Sequence, residues 1–178
     1  MLNSVPNGKG NYRQGLFTPT NTSKVYKLNE RGGLYYRSSW ELTAMKYFDN
    51  EPNVILWGAE CIEIPYQLKK PDKHGIVSIS RHRYYPDFYY KLKMKDGSIR
   101  EILLEVKPKE QTRPPKMKDA SRLTQKQLKN YKWAIDEYNR NMAKWEHTIA
   151  YCKPKGIEFK ILVKEQVDRM IRSYINGG

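Results

Sequence analysis

The sequence predicts a single-domain α/β fold, a central mixed β-sheet flanked by helices. Residues 83–92 and 100–107 alternate apolar and polar side chains with period two around one turn signal, as paired strands do. Residues 38–50 and 121–145 place apolar side chains three and four apart, as amphipathic helices do. At 178 residues the chain is long enough for one sizeable core, with no internal repeat or second domain evident.

Taken in order, residues 1–33 are rich in Gly, Asn, Thr and Lys and almost devoid of apolar periodicity. They predict a flexible or draped basic arm ahead of a domain over 34–178. Lys9, Arg13, Lys24, Lys27 and Arg31 in that arm either track a phosphate backbone or keep it soluble. A helix follows to about Asn50, opened by Ser38 with Glu41 three residues on, the pattern of a capping box. Glu41 has two roles open to it. It closes the helix start, or, lying within roughly 40° of Met45 and Phe48 on the core-facing stripe, it is a charge that needs a partner inside. Residues 69–80 read as an exposed hairpin loop turned by Pro71-Asp72 and Gly75.

In 100–107 the pleat sends Ile102, Leu104 and Val106 to one face and Glu101, Leu103, Glu105 and Lys107 to the other. In 83–92, Pro86, Phe88, Tyr90 and Leu92 share one face and Tyr85, Asp87 and Tyr89 the other. A two-residue Asp96-Gly97 loop would set Asp87 opposite Val106 and mix those faces. A three-residue loop, Lys95-Asp96-Gly97 with Gly97 left-handed, pairs Phe88 with Leu104, Tyr90 with Ile102 and Pro86 with Val106. That register sets Asp87 opposite Glu105, two carboxylates about 5 Å apart at the backbone that repel unless a divalent cation lies between them. The competing account is a solvated Glu-x-Lys face, with Lys107 as an ion-pair partner contributing only about 0–1 kcal/mol. Pro86 weighs against it, because proline cannot donate to a ladder and marks an edge or a bulge that would re-aim Asp87.

Residues 108–118 are proline-broken and basic and lead to the second helix. Leu128, Tyr131, Ile135, Tyr138, Met142 and Trp145 form its expected core stripe. Six basic residues between Lys116 and Lys132 face only Asp119, so Arg122, Lys126, Lys129 and Lys132 are expected to contact phosphates, a solvated helix face being the alternative. Gln127 and Tyr131 lie four apart on one side of that helix. Alternation over Glu158–Val163 predicts a last strand, and 165–174 a short helix.

Composition narrows the function classes. With 33 Lys plus Arg against 19 Asp plus Glu, a net charge of +14 and a pI near 9.7, the expected partner is a polyanion, though charge alone does not separate DNA from RNA or a membrane surface. No apolar run reaches membrane-spanning length and no signal-like segment opens the chain, so neither a membrane partner nor secretion is expected. Cys61 and Cys152 lack metal-ligand spacing and suit a reducing cytoplasm; His74, His82 and His147 are scattered, so no zinc site is expected.

Glu41 on an early helix, Pro86-Asp87 on one strand and Glu105-Val106-Lys107 on its neighbour together resemble the PD-(D/E)xK nuclease superfamily. Gln127-Leu128-Lys129-Asn130-Tyr131 is similar to the Gln-hydrophobic-x-x-Tyr helix of its RecB-like branch. An ordered run resembles the head-completion nucleases of contractile-tailed phages and the nuclease subunit of Tn7-type transposition. It comprises Tyr36-Arg37-Ser38-Ser39-Trp40-Glu41, Trp57-Gly58-Ala59-Glu60, Ile64-Pro65-Tyr66, Arg83-Tyr84-Tyr85-Pro86-Asp87-Phe88 and Glu105-Val106-Lys107-Pro108, with Pro114-Pro115 beyond.

The resemblance implies a restriction-endonuclease-like core and Mg²⁺-dependent DNA cleavage, with Mn²⁺ able to substitute. Asp87, Glu105 and the Val106 carbonyl would hold the metal and Glu41 would complete the site, directly or through water. Lys107 would position or help deprotonate the attacking water, and Gln127 and Tyr131 would orient the lysine region or the substrate. Arg83 and the helix cations would touch DNA phosphates. The implied role is phage head completion, with portal or neck proteins as partners, in the host cytoplasm and the virion head. Two rivals stand beside it: a non-catalytic DNA-binding plug with a nuclease fold, and a transposition or restriction-type endonuclease subunit.

Overall fold

Ser38 caps the first helix: its hydroxyl accepts the Glu41 N–H at 3.1 Å and donates to Glu41 Oε1 at 2.9 Å, while Glu41 Oε2 takes the Arg37 N–H in place of the Ser38 N–H of the expected capping box. The computed structural model describes residues 14–71, 74–116 and 119–175. In chain order these hold β1 (Gly15–Phe17), β2 (Leu34–Tyr36), α1 (Ser39–Asn50), β3 (Val54–Ala59), β4 (Ile64–Pro71) and β5 (Val77–Tyr84). There follow β6 (Phe88–Lys93), β7 (Ile99–Lys107), α2 (Gln125–Cys152), β8 (Glu158–Val163) and α3 (Lys164–Ile175).

The central sheet is mixed and four-stranded, in the order β3-β6-β7-β8, with β7 and β8 parallel and the other pairs antiparallel. Phe88 pairs with Leu104 and Tyr90 with Ile102, the three-residue-loop register. Met94 N–H donates to the Ser98 carbonyl at 2.8 Å, and Gly97 between them takes φ +83°, where a side chain is strained. Both faces of the sheet are covered. Ile102, Leu104 and Val106 join Phe48, Met45, Trp57, Phe88 and Val167 in one core, while Leu103 and Tyr89 pack with Ile64, Tyr66, Tyr84 and Cys152 in another. Thus α1 and α3 lie on the first face, and α2 with the β4–β5 ribbon on the second.

Three expected elements differ. The strand expected over 83–92 is two strands, β5 and β6, separated at Tyr85-Pro86-Asp87. Pro86 has no N–H for a ladder, and the chain leaves the two-stranded β4–β5 ribbon there to enter the central sheet. The loop expected over 69–80 is mostly that ribbon, paired as far out as Pro71 with Val77; Gly75 turns it at φ +80°, and Asp72 lies outside the described residues.

Helix α2 starts later and ends later than its apolar stripe suggests. Thr124 and Gln127 form its capping box, whereas Ser121 bonds back to Asp119. Its buried residues are Asn141, Trp145, Thr148 and Cys152, while Met142 is exposed and Leu128, Tyr131, Ile135 and Tyr138 are only half-buried. Only the C-terminal half lies fully against the sheet, and there small polar side chains occupy buried positions that a hydrophobicity pattern assigns to solvent.

Of the basic arm expected over 1–33, residues 1–13 lie outside the described residues. Residues 14–33 drape over the domain: β1 pairs with β2, the Phe17 ring lies 6.2 Å from that of Trp57, and the Thr20 and Asn21 N–H groups donate to buried Asp49 at 2.8 and 3.1 Å. An expected boundary at residue 34 therefore falls inside a packed unit.

Candidate active site

The two strands that carry the acidic motif end side by side. Beyond the Phe88–Leu104 pair the ladder stops, and the Asp87 side chain takes over the pairing: its Oδ2 accepts the Val106 N–H at 2.7 Å. Asp87 N–H in turn donates to Glu105 Oε2 at 3.3 Å. Glu105 is 1 % exposed, an extreme burial for a carboxylate, and each of its oxygens is engaged. Oε2 also accepts the Tyr84 hydroxyl at 2.5 Å, and Oε1 lies 2.7 Å from Lys107 Nζ.

Burial first, and then the Glu105 charge, push the Asp87 carboxyl up to about 8. Burial opposes the charge on Lys107, but Glu105 and Asp87 outweigh it and raise the ammonium above its ordinary value. Burial lowers Lys144, and the Lys107 charge adds to the effect. Its Nζ stands 5.2 Å over the Tyr84 ring. Burial and then the Glu105 carboxylate raise the Tyr84 hydroxyl, which stays a proton donor.

These groups line a basin of about 600 Å³ with Arg37, Glu60, Arg83 and Tyr85. Its floor is two carboxylates held together at a strand terminus, and its walls are four cations, Arg37, Arg83, Lys107 and Lys144. Such a site can hold a hard cation on its acids and a phosphodiester against its bases.

The expected site residues do not all meet there. Asp87, Glu105, Lys107 and Arg83 line the basin and Val106 adjoins it. Glu41 has its carboxylate committed to the helix start, accepting Arg37 N–H at 2.8 Å and the Ser38 hydroxyl. It influences Asp87 only through its charge. The geometry explains this: α1 packs on the Ile102–Leu104–Val106 face, whereas Glu105 and Lys107 point to the other, so Glu41 approaches only around the end of the sheet.

Gln127 bonds to Thr124 in the cap of α2. Neither Gln127 nor Tyr131 lines the basin, whereas Glu137, six residues beyond Tyr131 on the same helix, acts on Lys107 through its charge. Lys126, Lys129 and Lys132 are exposed on that same outer half, and Arg122 pairs with Asp119 at 3.3 Å. No group of three or more His, Cys, Asp or Glu able to hold a metal occurs among the described residues.

The sequence pattern misses Glu60, Arg37, Tyr84 and Lys144 as site residues. Glu60 follows β3 at φ +46°, gives its N–H to the Asp87 carbonyl at 3.1 Å and pairs with Arg37. Arg37, Glu60 and Tyr84 stand in the ordered run of motifs, but nothing in their spacing assigns them to the site; the sheet end brings the four in from separate segments.

Residues 51–164 match the family model described as TnsA-like endonuclease N terminal. The chain belongs to the TnsA-like endonuclease family. It is therefore an endonuclease of a family that uses divalent metals, with DNA as its partner. It is also 33 % identical over 151 residues to the head completion nuclease of Enterobacteria phage T4, an overlap that covers 85 % of this chain and 91 % of that protein. No solved structure matches it. No helix among the described residues is long and apolar enough to cross a membrane.

Proposed function

We propose that this protein is a Mg²⁺-dependent DNA endonuclease of phage head completion, which processes or secures packaged DNA ends before tail joining. The observation that carries the catalytic part is the buried Asp87–Glu105 pair with Lys107 against it. Two carboxylates so close that Glu105 accepts the Asp87 N–H repel, and a hard divalent ion relieves that repulsion with the oxygen donors it prefers. Asp87, Glu105 and the Val106 carbonyl would hold the ion. In a strand the N–H and C=O of one residue face the same edge, and Val106 faces Asp87. Pro86, at the register position opposite, has no N–H to occupy that carbonyl. Glu41 contributes through water, since its carboxylate also closes α1. With two protein carboxylates, the remaining positions suit water and phosphate oxygens, the usual habit of Mg²⁺, for which Mn²⁺ can substitute. The ion supplies charge to polarise the phosphate and to acidify water.

The chain's own groups do the rest. Lys107 stays protonated beside Glu105, so it acts as a positive charge that orients the attacking water and stabilises the charge gathering on the phosphate oxygens. Tyr84 fixes the orientation of Glu105, and Lys144 adds a second positive charge from the α2 side. Arg37 and Arg83 seat the flanking phosphates. The exposed Lys126, Lys129, Lys132 and Arg122 offer a further phosphate-binding track. Binding is then dominated by phosphates and carries little base specificity. The head-completion role draws on the similarity to the T4 head completion nuclease. It implies portal or neck proteins as partners and residence in the host cytoplasm and the virion head.

The test is incubation of the purified protein with linear and circular DNA in Mg²⁺, Mn²⁺ or EDTA, beside Glu105→Gln and Lys107→Met. Cutting in Mg²⁺ that disappears in EDTA and in both variants is the expected result. DNA binding without cutting in either metal would instead indicate a plug that has kept the nuclease fold.

A further inference from the structure

The β4–β5 ribbon carries more exposed surface than its packing requires. One of its faces is accounted for: Ile64, Tyr66 and Tyr84 are buried in the second core, and Tyr66 stacks on His82 at 5.3 Å between ring centres. The register pairs Pro65 with Arg83, Gln67 with Arg81, Lys69 with Ile79 and Pro71 with Val77, so period two places these eight side chains together on the opposite face. All eight residues are exposed, Val77 and Ile79 at 54 % and 59 %.

Three properties of that face identify its partner. It is purely basic in its charges: Arg83, Arg81 and Lys69 lie on it, and neither strand contains Asp or Glu. It is continuous with the basin, which Arg83 lines at its inner end. Arg81 and Lys69 make no ion pair among the described residues, while Arg83 makes an exposed contact with Glu63 at 3.6 Å and meets the Tyr85 hydroxyl. From Arg83 to Val77 the strand runs roughly 20 Å, about six base-pair steps at 3.4 Å each. A two-stranded ribbon is also of a width the major groove admits, and β-branched side chains at its outer end suit contact with sugars and thymine methyls.

We propose that the outer face of the β4–β5 ribbon is a rail for duplex DNA flanking the scissile phosphate, with Arg81 and Lys69 on successive phosphates and Val77 and Ile79 at the groove. This rests on the assignment of the basin as the hydrolytic site. Phosphate held against Arg83 directs the duplex onto the ribbon, because the rail begins at that arginine.

The full chain is titrated in EDTA into fluorescein-labelled 20-base-pair duplex and the matching single strand, across a range of KCl, with binding read by anisotropy. Arg81→Ala/Lys69→Ala should weaken duplex binding about tenfold and flatten the log–log salt dependence by about two phosphate equivalents. Lys93→Ala/Lys95→Ala, which removes equal charge at the far end of β6 and β7, should leave the slope unchanged. Melting of both variants at the wild-type temperature establishes that fold is not the cause. An unchanged slope in the ribbon variant, or equal effects of the two double variants, overturns the rail. A loss confined to the single strand overturns the duplex assignment. If the wild type cuts DNA while the ribbon variant binds normally, only the rail fails; if the wild type binds no DNA, the hydrolytic assignment fails with it.

Discussion

Asp87 concentrates the chemistry of this molecule in one carboxyl group. Its folded pKa, about 8, lies above the ordinary aspartate value of 3.8, so the folded protein holds that proton more tightly than the unfolded chain. The stability it contributes is fully present below the ordinary value and is lost as pH rises through about 8. In EDTA the melting temperature should therefore fall between about pH 5 and pH 9, the fall should shrink in Asp87→Asn, and added Mg²⁺ should restore the wild type at the alkaline end. Calorimetry across that range decides it; a pH-independent Tm in EDTA would refute the strained pair. Glu41 calls for a different separation, because one carboxylate serves both cap and site. Glutamine keeps an oxygen acceptor for the Arg37 N–H and an amide that can donate to the Ser38 hydroxyl, so Glu41→Gln should keep the wild-type Tm while slowing cleavage. Ser38→Ala should cost about 1 kcal/mol of stability and leave the chemical step largely intact. Equal kcat for Glu41→Gln and wild type would confine Glu41 to the cap.

The elements act on the site through the faces they bury. Helix α1 anchors the sheet through Phe48, which is fully buried with its ring 5.2 Å from Phe88 and 4.8 Å from Tyr90. Phe88 is the residue after Asp87, so loosening this cluster loosens the acid. Phe48→Ala should destabilise by about 3–5 kcal/mol and lower activity more than its unfolded fraction explains; urea titration and kinetics on the folded fraction measure both. The turn between β6 and β7 sets the register that brings the acids together. A Cβ at Gly97 would meet nothing within 4 Å among the described residues. Gly97→Ala should therefore cost about 1–2 kcal/mol through its positive φ alone, with unchanged cleavage once folded. The β6–β7 pairing was legible in the sequence because period two and turn length leave one register that keeps all apolar side chains together. The division of the 83–92 segment into two strands was not, because Pro86 forbids a ladder bond without saying which sheet the preceding residues join.

The whole molecule carries a net charge of +14, and the cations of the basin walls stand around its acidic floor. Binding to duplex DNA should accordingly weaken steeply between about 50 and 200 mM salt, whereas a relocated, weakly salt-dependent interaction would argue against phosphate contacts as the main source of affinity. The sequence by itself determined the α/β class, the capping of α1, the β6–β7 register and the meeting of Asp87, Glu105 and Lys107. Each of these follows from local rules, side-chain periodicity and turn geometry, that act within a span of a few residues or one hairpin. Only the tertiary structure decided that Glu41 stands at the margin, that Gln127 and Tyr131 stay outside the basin, and that Glu60, Arg37, Tyr84 and Lys144 complete the walls. Those placements depend on which face of the sheet each helix covers and how far along its axis it makes contact. Burial against distant partners fixes them, and no periodicity within the chain encodes it.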